Sequence, residues 1–125
     1  MFTGDFNNEI TALCFDKKER RVFAGDGDGA IKVFDAVTGV CVHIFESLSS
    51  EVVFLFYSCV DKTLLVIYKN CEVRIYKDFK KIEPGERELL RVIRSAHSKE
   101  IIVADYNVQL NVFAFGSIDG CIKIW

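Results

Sequence analysis

Apolar and polar residues alternate along this chain in short runs, and turn-forming residues separate the runs every six to ten positions. That spacing predicts short strands rather than helices, because side chains of period two line opposite faces of a pleated strand. The clearest stretch is Ala24-Gly25-Asp26-Gly27-Asp28-Gly29-Ala30-Ile31-Lys32-Val33-Phe34-Asp35. Its grammar returns near the end as Phe115-Gly116-Ser117-Ile118-Asp119-Gly120-Cys121-Ile122-Lys123-Ile124-Trp125, 91 residues later. Asp-Gly between alternating runs predicts a hairpin with a two-residue type I′ turn, which needs positive φ at both positions. Two such hairpins in one short chain predict an internal repeat.

Three units emerge. In the first, strands are predicted over Ile10–Phe15, Arg21–Gly25, Ala30–Phe34 and Val40–Phe45, with a charged turn at 16–20 and another turn at 35–39. The second unit follows at an offset of 42 with no gap, so that Glu72-Val73-Arg74-Ile75-Tyr76 stands where Ala30-Ile31-Lys32-Val33-Phe34 stood. Its turn carries Asn70-Cys71 in place of Asp28-Gly29, and because Cys adopts positive φ poorly a distorted turn is expected there. The third unit, offset by 91, has strands at Ile101, at Val112–Gly116 and at Cys121–Trp125. Its seven extra residues relative to unit two are placed between the third and fourth strands of unit two, around Pro84-Gly85, before Leu89–Arg94 resumes as a strand. The units span about 6–47, 48–96 and 97–125, the last without its outer strand. The fold class is all-β, in keeping with one Pro and many β-branched and aromatic residues.

Composition narrows the function classes. A net charge of −2 gives no basic footprint for nucleic acid. No apolar run approaches the roughly 20 residues of a membrane helix, and the start has no positive region followed by an apolar one, so no secretory signal is read. Cys14, Cys41, Cys59, Cys71 and Cys121 are odd in number and form no CxxC pair, which suits reduced thiols of an intracellular, cytoplasmic protein better than a disulfide framework or zinc site. His43 falls within a strand, where a packed or edge residue is expected, and neither His43 nor His97 has a partner at metal-ligand spacing. The glycine-rich 25–29 segment precedes a strand, not a helix, and its two Asp side chains would repel phosphate, so it reads as a turn. A calcium loop counted from Asp26 would need Glu where Val37 stands. No catalytic residue, cofactor or metal is expected. Lys17-Lys18-Glu19-Arg20-Arg21, Lys80-Lys81 and Glu86-Arg87-Glu88 read as solvated loops, or else as a patch for an acidic partner.

A four-strand unit of about 42 residues with this wording resembles the WD40 repeat. Unit one matches it through Gly25, Asp28-Gly29, Ile31, Val33, Phe34-Asp35 and Thr38-Gly39; unit three through His97, Ile101, Gly116-Ser117, Asp119-Gly120, Ile122, Ile124 and Trp125; unit two through hydrophobic spacing alone. The resemblance implies antiparallel β-propeller blades, and a propeller takes four to eight of them, so an incomplete propeller with a truncated third blade is expected. The family's buried tetrad of His, Ser or Thr, Asp and Trp is incomplete: Phe115 replaces the Ser in unit three, and unit one has Phe6, Ala24 and Phe34. Asp28, Gly29, His97, Asp119, Gly120 and Trp125 remain as tetrad-like or turn residues. The Asp28 and Asp119 carboxylates are expected to accept from nearby backbone N–H groups, and His97 to donate toward Asp119.

The resemblance further implies a non-catalytic platform for other proteins. The loops from fourth to first strands and from second to third strands should share one face, carrying Asn7, Asn8, Asp26, Ser49, Ser50, Lys69, Ser98 and Lys99 as the candidate protein-binding surface. Apolar sides of the first and third units need covering by further blades, from a longer chain or from a partner. The alternative is a permanent structural subunit of a cytoskeletal or axonemal (ciliary) assembly.

Overall fold

The computed structural model describes residues 8–16, 20–45, 50–78, 84, 87–94, 99–107 and 109–124. Eleven strands run in chain order: β1 (Ile10–Asp16), β2 (Arg21–Asp26), β3 (Ile31–Asp35), β4 (Cys41–Phe45), β5 (Val52–Ser58), β6 (Thr63–Tyr68), β7 (Val73–Lys77), β8 (Leu89–Ile93), β9 (Ile101–Asn107), β10 (Val112–Ser117) and β11 (Ile122–Ile124). They form three separate antiparallel meanders, β1-β2-β3-β4, β5-β6-β7-β8 and β9-β10-β11, and the sheets do not close into a ring. The fold is all-β, as the alternation predicts.

The repeat extends to single hydrogen bonds. The N–H groups of Gly27, Lys69 and Ile118 donate to the carbonyls of Glu9, Glu51 and Glu100. Each sheet carries a bulge at the start of its first strand, between Ile10 and Ala12, Val52 and Phe54, and Ile101 and Val103. The turn between first and second strands ends on a left-handed residue every time: Arg20 (φ 57°), Lys62 (φ 57°) and Asn111 (φ 52°). Three different residues thus take the same left-handed backbone at one place in the repeat, just before the second strand.

The Asp-Gly turns differ from the expected type I′. Only Gly29 (φ 87°) and Gly120 (φ 84°) have positive φ; Asp28 and Asp119 do not. Asp26 N–H donates to Ala30 O, and Gly29 N–H to Asp26 O, which makes a three-residue loop whose last residue is left-handed. The same bonds recur at Ser117 and Gly120. They recur also at Tyr68 and Cys71, so the turn of the second sheet is not distorted: Cys71 takes φ 70° and keeps the geometry. The flanking strands impose the turn, and the cysteine bears the left-handed backbone that glycine adopts freely.

The long connection is where the sequence puts it, with one residue fewer. Ile31 pairs with Phe45 whereas Val73 pairs with Ile93, so the β7–β8 connection is six residues longer than the β3–β4 connection, not seven. The remaining residue falls between β8 and β9.

Packing follows the alternation. Phe23, Ile31, Val33 and Phe45 of the first sheet bury against Val52, Leu55, Leu64, Val66 and Tyr76 of the second. The far face of the second sheet, with Leu65, Ile67 and Val73, packs on Ile101 and Phe115 of the third. The two interfaces are not equally close. A Cβ built on Gly25 would meet Val52 at 2.6 Å, whereas Ile67, a full-sized side chain, occupies the corresponding place in the second sheet. Gly25 therefore lets β2 approach β5.

Candidate protein-interaction surfaces

Two ends and two side faces of the stack could carry function. At one end, residues that precede first strands contact the turns between second and third strands. Asn8 Nδ2 donates to Asp28 Oδ2, Asn70 N–H donates to Ser50 Oγ (3.3 Å), and Cys71 Sγ donates to Lys99 O (3.0 Å). Each contact joins a residue just before a first strand to a hairpin turn. Asn8, Lys69 and Lys99 are exposed and Ser50 is half-buried, so these four share one surface.

Asp26 does not belong to that surface. It is 2% exposed, and its Oδ1 accepts from the N–H groups of Asp28 and Ala30, both at 2.9 Å. Asp26 thus holds the turn, a role expected of Asp28, whose carboxylate instead accepts from Asn8. Asn70 and Asp119 do serve their turns from the Asp28 position: Asn70 Oδ1 accepts from Glu72 N–H (3.0 Å), and Asp119 Oδ1 from Cys121 N–H (3.1 Å) and Ser117 Oγ. The carboxylate has moved two residues in the first sheet because either position reaches the same N–H. Asn7, Ser49, Ser98, His97 and Trp125 lie outside the described residues.

The opposite end holds a buried ionic cluster that sequence reasoning missed. Arg21, read as part of a solvated run, is 2% exposed. Its Nη1 and Nη2 grip Asp78 at 3.0 and 2.7 Å, and its Nε and Nη2 reach Asp16 Oδ2 at 3.2 and 2.7 Å. Tyr57 OH donates to Asp78 Oδ2 at 2.6 Å. The guanidinium lies over the rings of Phe23 (5.3 Å) and Tyr57 (5.4 Å), which are themselves stacked at 5.1 Å. Burial works to lower the Arg21 pKa, but hydrogen bonds to Asp78 and Asp16 outweigh it and hold the group firmly charged. Burial, with the Asp78 hydrogen bond, pushes the Tyr57 phenol well above its usual range. Asp16 and Arg21 come from the first sheet, and Tyr57 and Asp78 from the second, so the cluster clamps two sheets. The signal was present: Arg21 alternates with Phe23 and Gly25, which puts all three on one face.

A second polar cluster, without a cation, spans the next interface. The Tyr106 hydroxyl lies 2.8 Å from Asn111 Oδ1 and 3.0 Å from Ser58 Oγ, and Asn111 Nδ2 donates to Asp61 Oδ2 (2.7 Å). Tyr106 stands where Tyr57 stands in the second sheet, while the first sheet has Phe15 at that place. Further out, His43 Nε2 pairs with Glu88 Oε1 across the first interface, and the His43 ring meets Phe45 edge-on at 4.7 Å. His43 is thus a packed strand histidine, as expected. Among the described residues, the buried hydroxyls of Tyr68 and Tyr76 make no hydrogen bond, and burial drives the Tyr68 phenol well above its usual range.

The side faces are apolar and open. Val52 and Leu55 are buried against the first sheet. Their counterparts in β1 are exposed: Ile10 43%, Leu13 62% and, at the Tyr57 position, Phe15 63%. On the third sheet, Val103, Ile122 and Ile124 stand exposed where Ala12, Ile31 and Val33 of the first sheet pack on the second. Each open side thus repeats a surface that is covered elsewhere in the same molecule. Among the described residues no cluster of His, Cys, Asp or Glu could hold a metal ion.

The stacked antiparallel meanders with a bond-for-bond repeat are consistent with WD40 repeats, and WD40 domains are generally non-catalytic platforms for other proteins. Residues 2–60 match the family model of the anaphase-promoting complex subunit 4 WD40 domain, a span that takes in the first sheet and reaches past β5. Among curated proteins none matches the chain.

Proposed function

We propose that the chain is part of a larger WD40 propeller that serves as a non-catalytic scaffold in a multi-subunit assembly. The observation that carries this is the pair of open sides, Ile10-Leu13-Phe15 and Val103-Ile122-Ile124, each a copy of a surface buried between sheets. Repeat proteins bury such sides against a neighbouring repeat. Further blades, from a longer chain or from a partner, cover them in this reading. The loop surface of Asn8, Ser50, Lys69 and Lys99 then meets partner proteins. The matched family is named for a subunit of the anaphase-promoting complex, which favours an assembly of that kind.

The test is to isolate the native polypeptide from its source and measure its intact mass and its salt extraction. A mass above 14.2 kDa, or stable association with WD40-type partners that persists in high salt, is expected. A free polypeptide of that mass, without partners in low salt, would refute the proposal.

A further inference from the structure

Arginines gather around β7 and β8 of the second sheet, although the net charge of the chain is −2. A groove of about 460 Å³ lies there, lined by Arg74, Arg87, Glu88, Leu89, Val92 and Arg94. Arg74 stands opposite Val92 in the β7–β8 ladder, and Tyr76 opposite Leu89, so these four share one face of the sheet. That face is turned toward the first sheet, because Tyr76 and Leu89 belong to the core between the two. Arg87 and Arg94 flank the two ends of β8 and are exposed. The first and second sheets each have four strands, so the groove belongs to an interface that is whole.

The charges in the groove are unequal. Among the described residues lining it, the one carboxylate, Glu88, is already engaged by His43 Nε2 of the first sheet. Beneath the arginines, Glu72 Oε2 accepts from Arg74 Nε at 3.1 Å, and Glu72 Oε1 lies 3.9 Å from Arg94 Nη1. One carboxylate thus serves two guanidiniums, each with five N–H donors. Arg87 adds a third cation. Burial works to lower the Arg74 pKa, but Tyr76 and Glu72 beside it outweigh burial and raise it, so this group stays charged. The Arg94 side chain is 76% exposed, against 13% for Arg74, so the outer cations are open to solvent.

We propose that this groove docks an acidic segment of a partner protein, with carboxylates on Arg87 and Arg94 and apolar side chains between them on Leu89 and Val92. Charge complementarity sets the sign of the occupant, since guanidiniums hold carboxylates by charge-assisted hydrogen bonds. Leu89 and Val92 are half-buried and offer apolar surface between the two outer cations. The segment therefore carries acidic residues at both ends and apolar ones in the middle. Of the charged run Glu86-Arg87-Glu88, Arg87 lines the patch for an acidic partner and Glu88 is spent on His43. A nucleic acid fits less well, because Glu72 and Glu88 stand among the arginines and repel a continuous run of phosphates. This deepens the scaffold reading and rests on it, by naming the chemistry of one partner at a place other than the loop surface.

The probe is a labelled, end-capped peptide of two glutamates, two leucines and two glutamates, titrated with the full chain and followed by fluorescence anisotropy. Saturable one-to-one binding that weakens with salt is expected. Arg87→Glu with Arg94→Glu should weaken it at least about tenfold, and Arg87→Gln with Arg94→Gln should fall between that variant and the parent. Arg20→Glu with Lys123→Glu makes the same change of charge at exposed positions outside the groove and should bind as the parent does. A peptide with serines in place of the leucines should bind more weakly. Absence of binding, equal affinity for a peptide with lysines in place of the glutamates, equal affinity for the serine peptide, or affinity unchanged by the Arg87 and Arg94 variants would each overturn the proposal. Tighter binding of a short single-stranded RNA that competes with the peptide would also overturn it and assign the groove to phosphates. None of these outcomes bears on the native mass or extraction of the polypeptide, so the scaffold reading is judged separately.

Discussion

Replacing Arg21 with Met removes the cation that holds two buried carboxylates. The guanidinium makes four short contacts, two to Asp78 and two to Asp16, and the side chains of all three residues are at most 2% exposed. Charged hydrogen bonds contribute about 1.5–3 kcal/mol each, but they share partners here and do not add. The larger effect is that Asp16 and Asp78, both buried, would lose the guanidinium that lies between them. Breaking a buried pair in this way costs about 3–5 kcal/mol. For a chain of this size that is a drop on the order of 10–20 °C in Tm. Denaturant unfolding of the parent and Arg21→Met proteins, followed by far-ultraviolet circular dichroism, gives the difference. Arg21→Met combined with Asp16→Asn and Asp78→Asn should recover at least half of the loss, since no unpaired charge remains. A loss below about 1 kcal/mol for the single variant, the range of exposed pairs, would refute the buried-clamp account.

Further outcomes follow from the same geometry. Gly25→Ala should cost about 1–3 kcal/mol, because its Cβ meets Val52 Cγ1 at 2.6 Å and Val52 Cβ at 2.7 Å, and Val52→Ala should not rescue it, since the Cβ of residue 52 remains; Gly27→Ala, whose nearest neighbour is 4.0 Å away, should be near neutral in the same melts. Cys71→Gly should stabilise by about 0.5–1 kcal/mol in denaturant titration, since the left-handed backbone at φ 70° suits glycine and outweighs the lost Sγ contact with Lys99 O. Asp26→Ala should cost about 1–3 kcal/mol by leaving two part-buried N–H groups without the Asp26 carboxylate, and Asp119→Ala less than about 1 kcal/mol because its turn is more exposed. Burial, reinforced by the Asp16 carboxylate, raises the Cys14 thiol from 9.0 to about 12. The folded state therefore keeps a proton that the unfolded state releases: the contribution is whole below pH 9.0 and lost as pH rises toward about 12. In alkylation followed by mass spectrometry, exposed Cys41, Cys59 and Cys121 should react well before Cys14.

The sequence made the meander and its period legible because side-chain alternation and turn residues are local signals. Ile31 and Val33 face the core as their alternation with Lys32 requires, and the offsets of 42 and 91 carry over to individual backbone bonds. The turn type was not legible. Asp28-Gly29 satisfies a two-residue turn and a three-residue loop equally, and the choice depends on which residues close the ladder. Cys71 shows the same limit from the other side: strand pairing overrides a residue's own preference. The Arg21 clamp was hidden because its partners are distant in sequence, with Asp78 57 residues away, and because the charged run around it resembles a solvated turn. The open sides became visible only by comparing exposure at equivalent positions, as between Phe15 and Tyr57. Their apolar character is in the sequence, but their lack of a neighbour is a property of the stack.

Amide hydrogen exchange resolved by residue tests the central claim, three repeated sheets with an open edge and open sides. The account predicts one protection pattern recurring at offsets of 42 and 91. The β3 and β7 amides, in strands paired on both sides, should exchange at least about tenfold more slowly than those of β11. Exchange in β11 as slow as in β7, or a pattern without the repeat, would contradict it.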